Sequence, residues 1–306
     1  MARRRNRGRN VHGILLLDKP IGLTSNRALQ QVKRLFNANK AGHTGSLDPL
    51  ATGMLPICLG EATKVSGFLL DADKQYRAVC KLGVKTNSGD ADGEVIEERP
   101  VGPLTREQVI EVLERFLGTQ MQIPPMHSAI KQQGVPLYKL AHQGIEVARK
   151  AREVTIHSIE LLRLDGDELE IDVRCSKGTY IRTLAEDVGE TLGCGAHIAV
   201  LRRTAVGGLK MARMVDVETL ESLDEQGFEA LDALLLPAGD ALPEWPTVRL
   251  SEDASFYLRQ GQPVFVPQLK DRGWVRLYRG DEEFLGLGTV LDDGRVAPKR
   301  LLVPST

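Results

Sequence analysis

Apolar positions along the chain follow two spacings, and together they predict a mixed α and β protein. A continuous apolar run over residues 13–18 reads as a short buried strand. Ala28, Leu29, Val32 and Leu35 then recur at helical spacing behind Ser25, which is expected to cap that helix. Residues 75–84 read as a strand, and Asp90 to Gly93 as a turn into a second one. Thr105 and Gln108 fit a capping box for a helix that carries Val109, Val112, Leu113 and Phe116. The clearest hairpin joins residues 154–164 to 168–175 across Asp165-Gly166-Asp167, with Leu169, Ile171, Val173 and Cys175 alternating. Thr179 is the expected N-cap of a helix whose apolar face is Ile181, Leu184, Ala185, Val188 and Leu192 and which ends at Gly193.

At 306 residues the chain is long enough for about two domains with unstapled cores. Residues 124–152 break the rhythm of strands and helices. Pro124-Pro125, Gly134-Val135-Pro136 and a basic run at 149–152 mark an excursion, with a short helix near 137–143, that reads as a binding flap. Helical patterns around 217–223 and 228–235 lead to Leu242-Pro243-Glu244-Trp245-Pro246, the expected domain boundary. From Leu250 onward a short helix is followed by brief strands broken by Gly and Pro, the texture of a small β-barrel. The expected organisation is a basic arm over residues 1–10, a main domain over 11–246 and a small domain over 247–306.

Composition adds less than charge does. Hydrophobic and charged fractions of 42% and 26% suit a soluble globular protein; no apolar run approaches a membrane span and the N-terminus is polar, so a cytoplasmic location is expected. Cys58, Cys80, Cys175 and Cys194 lie far apart without a Cys-x-x-Cys pair, and no two histidines have ligand spacing, so neither a disulfide framework nor a metal is expected. The net charge of −1 hides a strong asymmetry. Residues 215–245 hold nine acids and no lysine or arginine, so the rest of the chain is positive by eight. Five arginines between Arg3 and Arg9, with Arg149-Lys150-Ala151-Arg152 and Arg202-Arg203, are the expected footprint of phosphate contacts; for the arm, a solvated tail is an equal reading.

Chemistry concentrates around Asp48. Gly42-His43-Thr44-Gly45-Ser46-Leu47-Asp48-Pro49-Leu50-Ala51-Thr52-Gly53 propagates neither a helix nor a central strand, and apolar runs at 14–17 and 55–59 could hold such a loop rigid. Two readings are open: an Asp-Pro turn, or a carboxylate aimed at a ligand. Tyr180 and Arg182 lie in a helix's first turn, off its apolar face. They suit an anion site there, or an ordinary surface pair of Arg182 with Glu186. No Walker sequence or strand-linked Gly-x-Gly-x-x-Gly is present, so no nucleotide cofactor is expected.

The segment 42–53, with Leu17-Asp18-Lys19-Pro20, Gly60-Glu61-Ala62-Thr63-Lys64, Tyr76-Arg77-Ala78, Ser176-Lys177-Gly178-Thr179-Tyr180-Ile181-Arg182 and Leu201-Arg202-Arg203 in that order, resembles the TruB family of bacterial tRNA pseudouridine-55 synthases. Leu258-Arg259-Gln260-Gly261-Gln262-Pro263-Val264 and Gly286-Leu287-Gly288 resemble the PUA domain, an RNA-binding module. The resemblance implies an α+β fold, a mixed and largely antiparallel central sheet flanked by helices, plus a small C-terminal β-barrel. It implies an isomerase without cofactor that acts on uridine 55 in the TΨC stem-loop of tRNA by flipping the base, and the chain is expected to act as a monomer. Residue by residue, it makes Asp48 the nucleophile or base and Arg182 its ion-pair partner, lowering the Asp48 pKa. Tyr76 would lie against the uracil as acid or base for the C5 proton. Tyr180 and Leu201 would line the pocket, His43 would stack near the displaced base, and Lys64 would support the loop or reach phosphate. Read alone, Tyr76 and Leu201 are ordinary core positions and His43 a loop hydrogen-bonder. The competing functions are a non-catalytic RNA-binding or RNA-chaperone protein, which the basic clusters would equally serve, and another RNA base-modifying enzyme such as a base-exchange transferase.

Overall fold

The computed structural model describes residues 8–267, 269–281 and 283–303. Most of the basic arm lies outside these residues. The fold is α+β, and the chain forms two compact units, one of residues 1–47, 54–70 and 206–306, the other of 48–53 and 71–205.

The second unit is built on a sheet in the order Ala196–Val206, Lys74–Leu82, Glu168–Cys175, Arg152–Asp165, Gly118–Gln122. The last four strands pair antiparallel, with the expected hairpin closing at Asp165↔Glu168. Period-2 alternation decides which side is buried. Val173 sits opposite Tyr76, Ile171 opposite Ala78 and Leu169 opposite Cys80, and these three partners on Glu168–Cys175 are fully buried. Helices Arg106–Glu114 and Ile181–Thr191 cover strands Arg152–Asp165 and Lys74–Leu82, burying Val109, Val112 and Leu113 from one and Ile181, Leu184, Ala185 and Val188 from the other. At roughly 1.5–3 kcal/mol per large buried aliphatic side chain, these faces hold the helices in place. The capping box at Thr105 and Gln108 is formed.

Thr52 and Gly53 run parallel to Arg202 and Arg203 on the strand Ala196–Val206. Gly53 has φ +96°, and a Cβ there would lie 2.3 Å from the Arg203 carbonyl oxygen. Gly53→Val should therefore add about 1–3 kcal/mol of backbone strain, together with that clash, and lower the thermal midpoint by several degrees. An unchanged midpoint in calorimetry would contradict this account of how the segment after Asp48 is fastened.

In the first unit, the buried strand Gly13–Lys19 lies beside Thr52–Leu59, which also pairs antiparallel with Ala41–His43. Helix Ser25–Leu35 buries Ala28, Leu29 and Val32 as its spacing requires, but its cap is Thr24, whose side chain accepts from the Arg27 N–H. Ser25 is spared for another task, described below. Helices Val217–Asp224 and Phe228–Asp232 fall in the acidic stretch, which also binds the end of the arm: Arg9 forks onto Asp232 at 2.6 and 2.8 Å and lies over the Phe228 ring. The C-terminal residues form a curled half-barrel in the order Thr247–Leu250, Gly273–Arg279, Glu283–Val290, Arg295–Leu301, Val264–Phe265 around Leu258, Val275, Leu277 and Val296. Phe68 packs edge-on against Trp245 and Trp274, and Lys64 donates to the Leu301 carbonyl at 2.7 Å. All four cysteines are free and buried; burial pushes the Cys58 and Cys80 thiols up to about 12, so neither is a nucleophile. Among the described residues no helix is long and apolar enough to cross a membrane.

Candidate active site

Asp48 follows a residue that the fold locks from both sides. Ser25 is buried at the start of its helix; its Oγ accepts from the Leu47 N–H at 2.7 Å and donates to the Leu47 carbonyl at 3.0 Å. Beyond Asp48, the Ala51 N–H donates to the Asp48 carbonyl at 3.1 Å and the parallel pairing at Thr52 and Gly53 begins. A loop of glycines and small polar residues is thus fixed at both ends, which gives its carboxylate a defined direction.

Arg182 lies at 3.0 Å from that carboxylate. It starts the helix Ile181–Thr191, off the apolar face, yet its side chain is only 5% exposed while that of Asp48 is 44% exposed. Each terminal nitrogen of the guanidinium faces one carboxylate and one carbonyl. Nη2 meets Asp48 and donates to the His127 carbonyl at 2.7 Å; Nη1 meets Asp90 at 3.3 Å and donates to the Ser88 carbonyl at 2.8 Å. The surface pair with Glu186 is therefore not the role of Arg182: a planar fork buried among four acceptors is an anchor for charge.

Asp90 is the site residue that sequence reading missed. Asp90 to Gly93 reads as a turn, and turn backbone runs through residues 87–93, but it folds the Asp90 carboxylate inward. Its Oδ1 accepts from the Ser88 hydroxyl at 2.6 Å and the Asp92 N–H at 3.2 Å, and the backbone on either side pairs with Ile198. Two carboxylates share one guanidinium. Asp90 is buried and saturated with donors; Asp48 keeps nearly half its surface open. The two differ in exposure: Asp90 is enclosed around the shared cation, whereas Asp48 keeps a surface that a ligand could meet.

The helix start is also held differently from the expectation. Thr179 donates to the Ser176 carbonyl; the N-cap is Tyr180, whose N–H and carbonyl are both taken by the buried amide of Gln122, at 2.8 and 3.0 Å. The Arg152 guanidinium lies 5.3 Å above the Tyr180 ring. Tyr76 is half-buried on the strand Lys74–Leu82; burial pushes its phenol up, Arg203 opposes this by charge and by a hydrogen bond, and the Asp48 charge reinforces it. Leu201 is buried on the neighbouring strand, two residues from Arg203. Arg203 is 1% exposed and so is not the surface phosphate contact its Arg-Arg sequence suggests; alternation turns it to the Leu201 side. His43 closes the strand Ala41–His43 opposite Ile57. Lys64 pairs with Glu61 and the Leu301 carbonyl. Burial raises the Glu61 carboxyl, but Lys64 and the Val303 N–H more than offset this and hold it below its usual range.

Glu186, half-buried one turn after Arg182 and beside Gly89, is pushed up to about 7, first by burial and then by the Asp187 charge. The folded state thus keeps a proton that the unfolded chain loses near 4.5, and this contribution to stability declines as pH rises from about 4.5 through 7. Glu186→Gln is expected to raise the thermal midpoint near pH 8 and to change it little near pH 5. An equal effect at both values would contradict the sign.

The sequence profile of the TruB family pseudouridylate synthase N-terminal domain matches residues 33–181, and those of the tRNA pseudouridylate synthase B C-terminal domain and the pseudouridine synthase II TruB C-terminal region match 182–243 and 246–302. The tRNA pseudouridine synthase B of Nitrosococcus oceani is 60% identical over 98% of this chain and 97% of its own length. The chain belongs to the TruB family of pseudouridine synthases. A second member, from Serratia proteamaculans, is 53% identical over 99% of both chains. Among solved structures, a Cbf5-Nop10-Gar1 complex contains a chain that superposes with a TM-score of 0.73 at 27% identity, over 96% of this chain and 84% of that one. An H/ACA RNP bound to a substrate RNA containing 2′-deoxyuridine gives 0.74 at 26%, over 95% and 85%. Membership of the family makes the chain an isomerase.

Proposed function

We propose that this enzyme converts uridine 55 in the TΨC stem-loop of tRNA to pseudouridine, acting as a cytoplasmic monomer. The observation that carries the reading is the half-open Asp48 carboxylate held on a buried arginine that Asp90 keeps in place. Its relatives' name, tRNA pseudouridine synthase B, and the RNA-bound structural neighbour support the substrate class.

The isomerisation breaks N1–C1′ and forms C5–C1′. A proton leaves C5 and one is gained at N1, so the atoms balance without water or cofactor. The glycosidic carbon becomes electron-poor as N1 departs, and a carboxylate kept ionised beside a guanidinium stabilises it. Tyr76 offers the hydroxyl that handles the C5 proton. A base inside a folded loop has to be extruded to reach such a group, and Tyr76, Tyr180 and Leu201 supply the ring and apolar surfaces that replace its stacking. Lys64 acts at one remove, by holding the segment after Leu59. The excursion 124–152 clasps the RNA, and residues 247–306 add contacts in the manner of an RNA-binding module.

The position is tested by carbodiimide labelling and reverse transcription of a tRNA transcript incubated with the enzyme. A single stop at position 55, lost in a transcript with cytidine there, is expected. Stops elsewhere, or none, would overturn the assignment.

A further inference from the structure

We infer that Gln122 is the positioning residue of Tyr180: its buried side-chain amide holds both main-chain groups of the tyrosine and so sets where the ring stands. The inference rests on the proposed role of Tyr180 against the extruded base.

The strand Gly118–Gln122 is exposed or half-buried up to its last residue, and Gln122 is 6% exposed. A buried glutamine needs partners for a donor and an acceptor at once. Tyr180 supplies both: its N–H donates to Gln122 Oε1 at 2.8 Å and its carbonyl accepts from Nε2 at 3.0 Å. The amide stands in for the peptide group of a neighbouring strand, exchanging two bonds with one residue. Tyr180 needs such a hold. It precedes the helix Ile181–Thr191 with extended backbone and no side-chain capping bond, and its carbonyl accepts the first helical bond, from the Leu184 N–H at 3.1 Å. Fixing its N–H and its carbonyl fixes the peptide planes on both sides of its Cα, and with them the direction in which the side chain leaves the chain.

A second contact completes the arrangement. Gln122 lies directly opposite Arg152 on the paired strand Arg152–Asp165, so the two side chains leave the same face of the sheet. The Arg152 guanidinium lies 5.3 Å above the Tyr180 ring. The glutamine holds the main chain and the arginine the ring. The two residues also form the neck of the excursion 124–152, Gln122 where the chain enters it and Arg152 where it returns, and Arg149 donates to the Pro124 carbonyl at 3.2 Å just beyond them. Gln122 is too buried to meet the RNA itself, so its effect on the reaction passes through Tyr180.

The test compares the full-length wild type with Gln122→Leu, which has nearly the shape of glutamine but neither donor nor acceptor, and with Tyr180→Ala and the double variant. In Gln122→Leu the Tyr180 N–H should exchange with solvent at least about tenfold faster, while amides in the interior of its helix keep their protection. Single-turnover pseudouridine formation by Gln122→Leu, measured well below its melting temperature, should fall at least about tenfold, within the range that a small misplacement costs, with tRNA affinity held within a few fold. In the Tyr180→Ala background the same substitution should cost less than about threefold more, because the ring it positions is gone. If Gln122→Leu fails to fold, Gln122→Asn carries the test, since it keeps the amide but falls one methylene short. In a folded variant, an unchanged exchange rate at Tyr180, an unchanged turnover, or losses that multiply in the double variant would overturn the inference. A wild type that makes no pseudouridine would instead overturn the proposed function, which the exchange measurement does not depend on.

Discussion

Asp48→Asn is expected to reduce pseudouridine formation by about 10⁴-fold or more while tRNA affinity stays within a few fold. The amide has nearly the shape of the carboxylate but neither its charge nor its basicity, and loss of a group that acts directly on the reacting centre has effects of this order. Stability should change little, because Arg182 keeps Asp90 as a counter-charge and both of its carbonyl acceptors. Single-turnover kinetics, filter binding and a thermal melt read the three quantities separately. A protein that binds tRNA and loses nothing on this substitution would be an RNA-binding protein whose Asp48 merely makes a turn.

Arg182→Ala should behave differently, because it strips both carboxylates of their cation. Turnover is expected to fall by about 10²–10³-fold, the scale seen when one preorganised electrostatic group is lost. Stability should also fall, by about 3–5 kcal/mol, since Asp90 would be left as a buried carboxylate without its cation. Affinity for tRNA should barely move: a side chain 5% exposed cannot reach a phosphate. Arg182→Lys should recover little, because a point charge cannot span two carboxylates and two carbonyls. Parallel losses of affinity and turnover would place Arg182 on the RNA and contradict its role under Asp48.

The elements were legible where local chemistry settles them. The hairpin at Asp165-Gly166-Asp167, the capping box at Thr105 and the faces of the helices at 25–35 and 181–191 follow from period and cap residues that act within a few positions. Two caps were misplaced by one residue, for a shared reason: Ser25 and Thr179 have the right chemistry to cap, but each is used by a tertiary or loop hydrogen bond instead. Asp48 read from its own segment was equally a turn or an aimed carboxylate, and only the family resemblance favoured the second. Asp90 sits in an equally glycine-rich stretch, and there the turn reading is right for the backbone; nothing local says that the carboxylate points inward to a guanidinium 92 positions away in sequence. Gln122 and Arg203 carried no such ambiguity. For Arg203 the period-2 relation to Leu201 was the available signal, and the adjacent Arg202 masked it as a surface pair.

The site gains its character from how unevenly its charge is exposed. One guanidinium faces two carboxylates, and of these two Asp48 is the one that stays open. That arrangement suits a reaction in which an anion must meet an electron-poor sugar carbon while the base stays within reach. The excursion at 124–152 also takes part in the cluster: the His127 carbonyl at its base is one of the acceptors of Arg182, the His142 ring meets the His127 ring edge-on, and Tyr138 meets His142 edge-on in turn. Burial, and then the charge of Arg182, lowers the His127 pKa, so this ring stays neutral and adds no competing cation near the pair.

The most direct test of the account is tritium release from tRNA transcribed with [5-³H]uridine, measured for the wild type and Asp48→Asn at equal bound fraction. One equivalent of tritium released per tRNA by the wild type and none by the variant is the predicted result. Tight binding without release by the wild type, or equal release by both, would contradict a catalytic Asp48.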